Sequence, residues 1–313
     1  MLRRRAVTAP RPTRPRRPTG VRRFAPGSEW LYAKLYAGTS SVDHVLSGLV
    51  AELVAGFADA FDLWFFVRYA DPDWHLRLRF HGEPRCVNGE LRHALEARSS
   101  SVLGDGCGWR LQLDTYEREV ERYGGDEGIA LSERIFHADS EAVLGIVALL
   151  SGDEGSDARW RLTLRGIDAL LDDLKLDLPA RRRVIGRMRK AAADEFRFVG
   201  RVERQLHERY RKHRRELEAL LDRSRDEMSD HAPAIEVLHR RSERLRPVLA
   251  ELEDAARAGR LSCTIEDLAT SYVHMHANRL LRSAQRAQEL LIYDFLERLY
   301  ESAAARAGAS SRK

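Results

Sequence analysis

Acidic residues are missing from the first 28 positions of this 313-residue chain, and long apolar runs are missing from all of it. The second absence excludes a bilayer-spanning helix, which needs about 20 consecutive apolar residues. The N-terminus carries charge with no apolar segment behind it, so no secretory signal is expected. Cysteine is scarce. Cys86, Cys107 and Cys263 are odd in number and far apart, which fits neither a disulfide framework nor a zinc spacing. Reduced thiols and a cytoplasmic location are the expectation. Phosphate loops, dinucleotide fingerprints, nucleophile elbows and H-E-x-x-H are absent too, which leaves nucleotide, hydrolase and zinc-protease chemistries without support.

What is present first is charge, unevenly placed. The net charge is +5, yet nine of the 53 basic residues fall within residues 1–28. The remaining 44 face 48 acids, so the body of the chain is at −4. The basic character belongs to the Arg/Pro-rich segment 1–27, which lacks apolar periodicity and is expected to be disordered. With Phe24 as its one aromatic it lacks a run of base-stacking rings, so direct nucleic-acid binding is not expected. Residues 28–305 form the folded domain, and 306–313 are a second disordered tail.

The pattern of the body predicts an α+β fold: a mainly helical single domain with a small antiparallel sheet in the N-terminal half. "EWLYAKLYAG" alternates with period two and reads as a strand. Apolar residues from Val45 to Phe57 recur at helical intervals. "WFFVRYADPDWHLRLRF" reads as two strands joined by a turn at Pro72, and Trp109–Glu117 as another strand. From Ser132 the texture is helical: a helix ending near Gly152, one over "DARWRLTLRGIDALLDDLKL", and a long charged helix or helix pair from Pro179. Helices over 234–258 and 265–304 follow, the last capped near Ser262 or Thr264.

Three constellations carry charge into apolar surroundings. In "HLRLRF" strand periodicity sends His75, Arg77 and Arg79 to one face and Leu76, Leu78 and Phe80 to the other. Two guanidiniums one pleat apart repel, so an anion should sit over them: a bound carboxylate or the protein's own acids. In "YEREVERYGG" Glu119 and Arg122 share a face if the segment is helical. In "SYVHMHANRLLR" His274, Asn278 and Arg282 line up at four-residue steps on a helix, while His276 points elsewhere. H-x-H on a helix cannot clip one metal, so no metal is expected.

In this order, "WLYAKLYAG", "WFFVRYADPDWHLRLRF", "YEREVERYGG" and "SYVHMHANRL" resemble the C-terminal domain of lanthipeptide dehydratases, found also as stand-alone thiopeptide-type bacteriocin biosynthesis proteins. The likeness covers about Trp30 to Tyr300. It implies a lyase that expels glutamate from glutamylated Ser or Thr of a ribosomally made precursor peptide, giving dehydroalanine or dehydrobutyrine. By motif, Arg77, Arg79, Glu119, Arg122 and His274 are the catalytic set, and Arg68 matches a recurrent arginine of the family. Arg68 is expected to bind substrate, together with His75 and Asn278, which neighbour the motif residues in sequence. No cofactor is implied. The partners implied are the precursor peptide and a separate glutamylation protein using glutamyl-tRNA; a homodimer is compatible with the same reading. Two alternatives stand beside it: a pyridine-forming [4+2] cycloaddition enzyme of thiopeptide maturation, and a non-catalytic scaffold that binds the precursor.

Overall fold

A computed structural model describes residues 20–150, 152–196 and 200–310. Strands β1 (Arg23–Phe24), β2 (Trp30–Tyr36), β3 (Leu63–Tyr69), β4 (His75–His81), β5 (Arg110–Leu113) and β6 (Tyr116–Glu117) all lie in the first 117 residues. Four of them form an antiparallel sheet in the order β3-β4-β2-β5, and β1 pairs with β6. The β3–β4 turn contains a cis Asp71–Pro72 bond.

Helices α1 (Val42–Val45) and α2 (Ala51–Gly56) are continuous through a π turn at Leu46–Val50. After β4 come α3 (Pro84–Cys86), a second π turn and α4 (Arg92–Gly104), a segment for which the pattern made no assignment. Pro84 opens it and Glu83 caps it, accepting from the amides of Arg85 and Cys86. Helix α5 (Asp126–Leu149) starts six residues before the expected Ser132, with Asp126 and Glu127 complementing its N-terminal dipole. Helices α6 (Gly152–Asp173), α7 (Leu178–Glu195), α8 (Gly200–Leu221) and α9 (Ala232–Arg257) follow. The expected helix over 265–304 is two: α10 (Ile265–Leu280), capped by Thr264 and Asp267, and α11 (Gln285–Ser310).

Strand alternation divides the interior. Leu31, Ala33, Leu35, Trp64, Phe66, Leu76, Leu78 and Phe80 form one core with the 42–56 helical segment and α4. From the other face, Tyr32 and Phe65 join Tyr116, Tyr123, Phe136 and Tyr272 in a second. The later helices share a third, around Trp160, Tyr293 and Phe295.

Two boundaries of the expected domain move. Residues 1–19 and 311–313 lie outside the described residues. Within 20–27, however, Arg23 and Phe24 pair with Glu117 and Tyr116, and Phe24 is buried. Its apolar ring, alone among arginines, fills space beside Trp30 and Tyr116. At the other end the Ala-rich run after Tyr300 continues α11 to Ser310.

Candidate active site

Register turns the face opposite the first core into a grid. Phe65, Arg79 and Tyr32 form one row across β3, β4 and β2. Val67, Arg77, Lys34 and Gln112 form the next, and Tyr69, His75, Tyr36 and Arg110 the third. As the alternation in "HLRLRF" requires, all three charged residues of that motif share this face.

Arg79 is 9% exposed and boxed by aromatic rings. Its guanidinium carbon lies 4.5 Å from the Tyr32 centroid, 4.8 Å from Tyr116 and 5.2 Å from Phe65. Its buried Nε has no hydrogen-bond partner, and no carboxylate pairs with it among the described residues. Arg77 lies 3.4 Å over the Tyr69 ring and donates from Nε to His75 Nε2 at 3.2 Å, again without an acid. Other buried arginines do have acids. Arg68 and Arg159 hold Asp43, Arg165 holds Asp226, and Arg241 and Arg279 hold Asp139. The contrast matters because a desolvated cation without an anion is costly unless a ligand supplies one.

His75 is itself buried beneath Arg77. Burial, outweighing the Asp73 carbonyl, pushes its imidazole below the ordinary value, and Arg77 and Lys34 push the same way. Its neutral ring donates from Nδ1 to Asp73 O at 2.8 Å and accepts from Arg77.

Glu119 and Arg122 occupy a single helical turn, closed when Glu119 O accepts from the amides of Arg122 and Tyr123. Gly124 and Gly125 leave it at φ +83° and +104°, conformations that favour glycine. Arg122 Nη1 meets Glu119 Oε2 at 3.0 Å, and its Nε reaches Ser271 Oγ on α10 at 3.3 Å. The Tyr123 phenol, pushed up to about 12 by burial, is drawn back by Arg122, Arg279 and Arg79 together. One phenol thus senses arginines from the β4 motif and the Glu119–Arg122 turn.

Helix α10 runs beside β3 from Ser271, at Arg122, to Asn278, at Arg68. His274 stands between them, one turn from each. Its Nδ1 lies 2.7 Å from Oε1 of Glu289, which is fully buried on α11. Burial raises the Glu289 carboxyl, but the bonds and charges of His274, Gln285 and Arg286 outweigh it and hold it below the ordinary range. His276 turns away into the core, 2.8 Å from Asp139. The two histidines of H-M-H therefore serve different carboxylates.

Three sequence expectations change here. Arg68 pairs in register with Leu76, so it faces the first core, away from Arg77 and Arg79. There its guanidinium is spent on Asp43 and on the carbonyl of Arg279. Asn278 commits both amide protons, to Arg68 O and Gln285 Oε1, and accepts from Arg68 N, so it ties α10 to β3. Arg282 leaves the His274–Asn278 line because α10 ends at Leu280; it lies 3.8 Å from Asp43. Residues the sequence did not mark are Tyr32, Lys34, Phe65, Tyr116, Ser271 and Glu289. A cleft lined by Arg161, Glu216, Arg225 and His231 holds none of the marked residues.

Comparison with known proteins bears on the family. Residues 30–300 match the family model "Lantibiotic biosynthesis dehydratase C-term". Over 139 residues the chain is 31% identical to nisin biosynthesis protein NisB of Lactococcus lactis subsp. lactis, covering 44% of this chain and 13% of that one. Over 119 residues it is 31% identical to subtilin biosynthesis protein SpaB of Bacillus subtilis, covering 38% and 12%. The chain thus spans about an eighth of these relatives. Its fold matches the tRNA-dependent lantibiotic dehydratase MibB of Microbispora sp. 107891 with TM-score 0.72 and 24% identity, over 93% of this chain and 29% of that one. It also matches the pyridine synthase TbtD from thiomuracin biosynthesis, with TM-score 0.63 and 17% identity, over 88% and 99%. Among the described residues no helix is long and apolar enough to cross a membrane. With one family model matched from Trp30 on β2 to Tyr300 on α11, the chain belongs to the lantibiotic dehydratase C-terminal family.

Proposed function

We propose that this protein expels glutamate from glutamylated Ser or Thr residues of a precursor peptide, leaving dehydroalanine or dehydrobutyrine. Glutamylation then falls to a separate protein. The observation that carries this reading is the boxed Arg79, a buried guanidinium with no acid of its own, beside the half-exposed Arg77, which has no acid either.

In β-elimination a base takes the α-proton, electron density moves onto the carbonyl as an enolate-like oxygen, and the Cβ–O bond breaks as glutamate leaves with its carboxylate. Charge thus develops at two oxygens. Preorganised cations in a dry site stabilise such charge, often as the largest catalytic contribution. In this reading Arg77 and Arg79 receive the departing carboxylate, and Arg122, oriented by Glu119, serves the carbonyl oxygen. His274, donating from Nδ1 to the Glu289 carboxylate, keeps Nε2 free to take the proton, a role worth about 10²–10⁴-fold.

The test is to give the purified protein a glutamylated peptide and follow dehydroalanine by mass. Conversion is expected for wild type, with losses of about 100-fold or more in Arg79→Ala and His274→Ala. Full conversion by both variants would end the reading. A second reading, [4+2] cycloaddition, has one support of its own: the match covers 99% of the pyridine synthase chain. Supplying a peptide that already holds two dehydroalanines separates the two, since ring formation with loss of the leader would favour the cycloaddition.

A further inference from the structure

The grid is covered unevenly. Its first row lies under Tyr116 and the second-core aromatics, whereas Lys34, Arg77, Val67 and Gln112 of the second row are half-exposed. At the third row Tyr36 and His75 stay buried, but Tyr69 is 38% exposed and Trp109, against the Tyr36 ring, 53%, so two of the eight exposed large apolar side chains of the described residues meet at this end of the grid. Grouped exposure of this kind marks binding surfaces, whereas scattered apolar residues do not.

The cations of these rows lie flat on the aromatics. Arg77 covers Tyr69, and Arg110 lies 4.9 Å over Tyr36 while donating to Gln112 at 2.7 Å. Neither has an ion-pair partner among the described residues. Lys34 does, in Asp114. The rows therefore carry three cations against one carboxylate, with Asp71 and Asp73 beyond them in the exposed β3–β4 turn. Spacing also fits a particular guest. Rows repeat every two residues of strand, about 6.6 Å, which is the side-chain repeat of any extended polypeptide along that direction.

We propose that the second and third rows, edged by Trp109, form a shelf on which an extended acidic segment of the substrate polypeptide lies, flanking the residue held at Arg79. The identity of that held residue rests on the elimination reading; the shelf's preference for acidic chains rests on Arg77, Arg110 and the aromatic faces. Arginine stacked on a ring keeps its edge donors free for carboxylates, so the same side chains present an apolar face and an anion site.

The experiment is fluorescence anisotropy with the full chain and three labelled, unmodified peptides of roughly ten residues, each with a central Ser flanked by Glu, Gln or Lys. The Glu peptide is expected to bind about 10-fold more tightly than the Lys peptide at low salt. Trp109→Ala should weaken it about 5-fold, and Arg110→Glu should invert the order of the Glu and Lys peptides. Both side chains are exposed, and unchanged thermal melts will confirm that the variants fold. Equal binding of all three peptides, or wild-type binding by both variants, overturns the shelf. So does a wild-type dimer, in sedimentation, that these variants dissolve, because the face would then belong to a second copy. Glutamate release from a capped O-glutamylserine, too short to reach the third row, is measured separately. Its failure would count against elimination alone, since the anisotropy involves no chemistry.

Discussion

Glu289 gives the site a property that no motif announced. A fully buried carboxylate held by Gln285, Arg286 and His274 can fix one tautomer and one orientation of the histidine. Glu289→Gln keeps an acceptor of the same shape but removes the charge. Turnover of glutamylated peptide should fall roughly 10-fold with KM little changed. Without the charge the ring is held less firmly in the orientation that leaves Nε2 free, so the loss should fall on kcat. An unchanged kcat in a folded variant would remove Glu289 from the mechanism. At this scale the sequence was legible where periodicity alone decides, as for His75, Arg77 and Arg79. It was not legible where two strands must be registered. Arg68 entered the candidate set as a recurrent arginine of the family, and nothing in one strand says that its face is turned away from Arg79 on the next.

Strand β3 is an edge, and its outward backbone groups would be open to any other strand. Here side chains of two helices take them up. Trp64 N donates to His137 Nδ1 at 3.2 Å and Phe66 N to Ser140 Oγ at 3.3 Å. Arg279 Nε reaches Phe66 O at 2.9 Å, and Asn278 takes both backbone groups of Arg68. This seam fixes α10, the helix that carries His274, against β3. Asn278→Ala leaves a buried N–H and C=O unpaired, at a cost of about 2–4 kcal/mol. The urea midpoint should drop accordingly while KM of the remaining folded enzyme holds. A raised KM at unchanged stability would return Asn278 to substrate binding, the role its place on the His274 line had suggested. The seam joins residues some 210 positions apart, so it could not be read from local pattern. Nor could the break between α10 and α11, which has no glycine or proline to mark it and relies on Ala284 at φ +46°.

Across the whole molecule, the interior is built with arginine–carboxylate clusters and neutral histidines in place of an entirely apolar core. Asp139 is the centre of the most buried cluster, held by Arg241, Arg279 and His276. Gly166 lets it close, because a Cβ there would come within 2.2 Å of His276 Nε2. Burial, the largest influence in each case, pushes His75, His137, His231 and His276 below the ordinary histidine value. In the unfolded chain these rings titrate near 6.5. As pH falls through that value the unfolded state takes up protons that the folded state refuses. Each such proton costs the fold up to about 1.4 kcal/mol per pH unit. Stability contributed by these groups is therefore present above 6.5 and lost below it. The urea midpoint should hold from pH 8 to 7 and decline from 7 to 6, above the range in which ordinary carboxylates titrate. A midpoint that stays level or rises over that interval would mean that the rings are charged in the folded state. His75 would then be a cation against Arg77, and the neutral acceptor now holding that guanidinium in the second row would be lost.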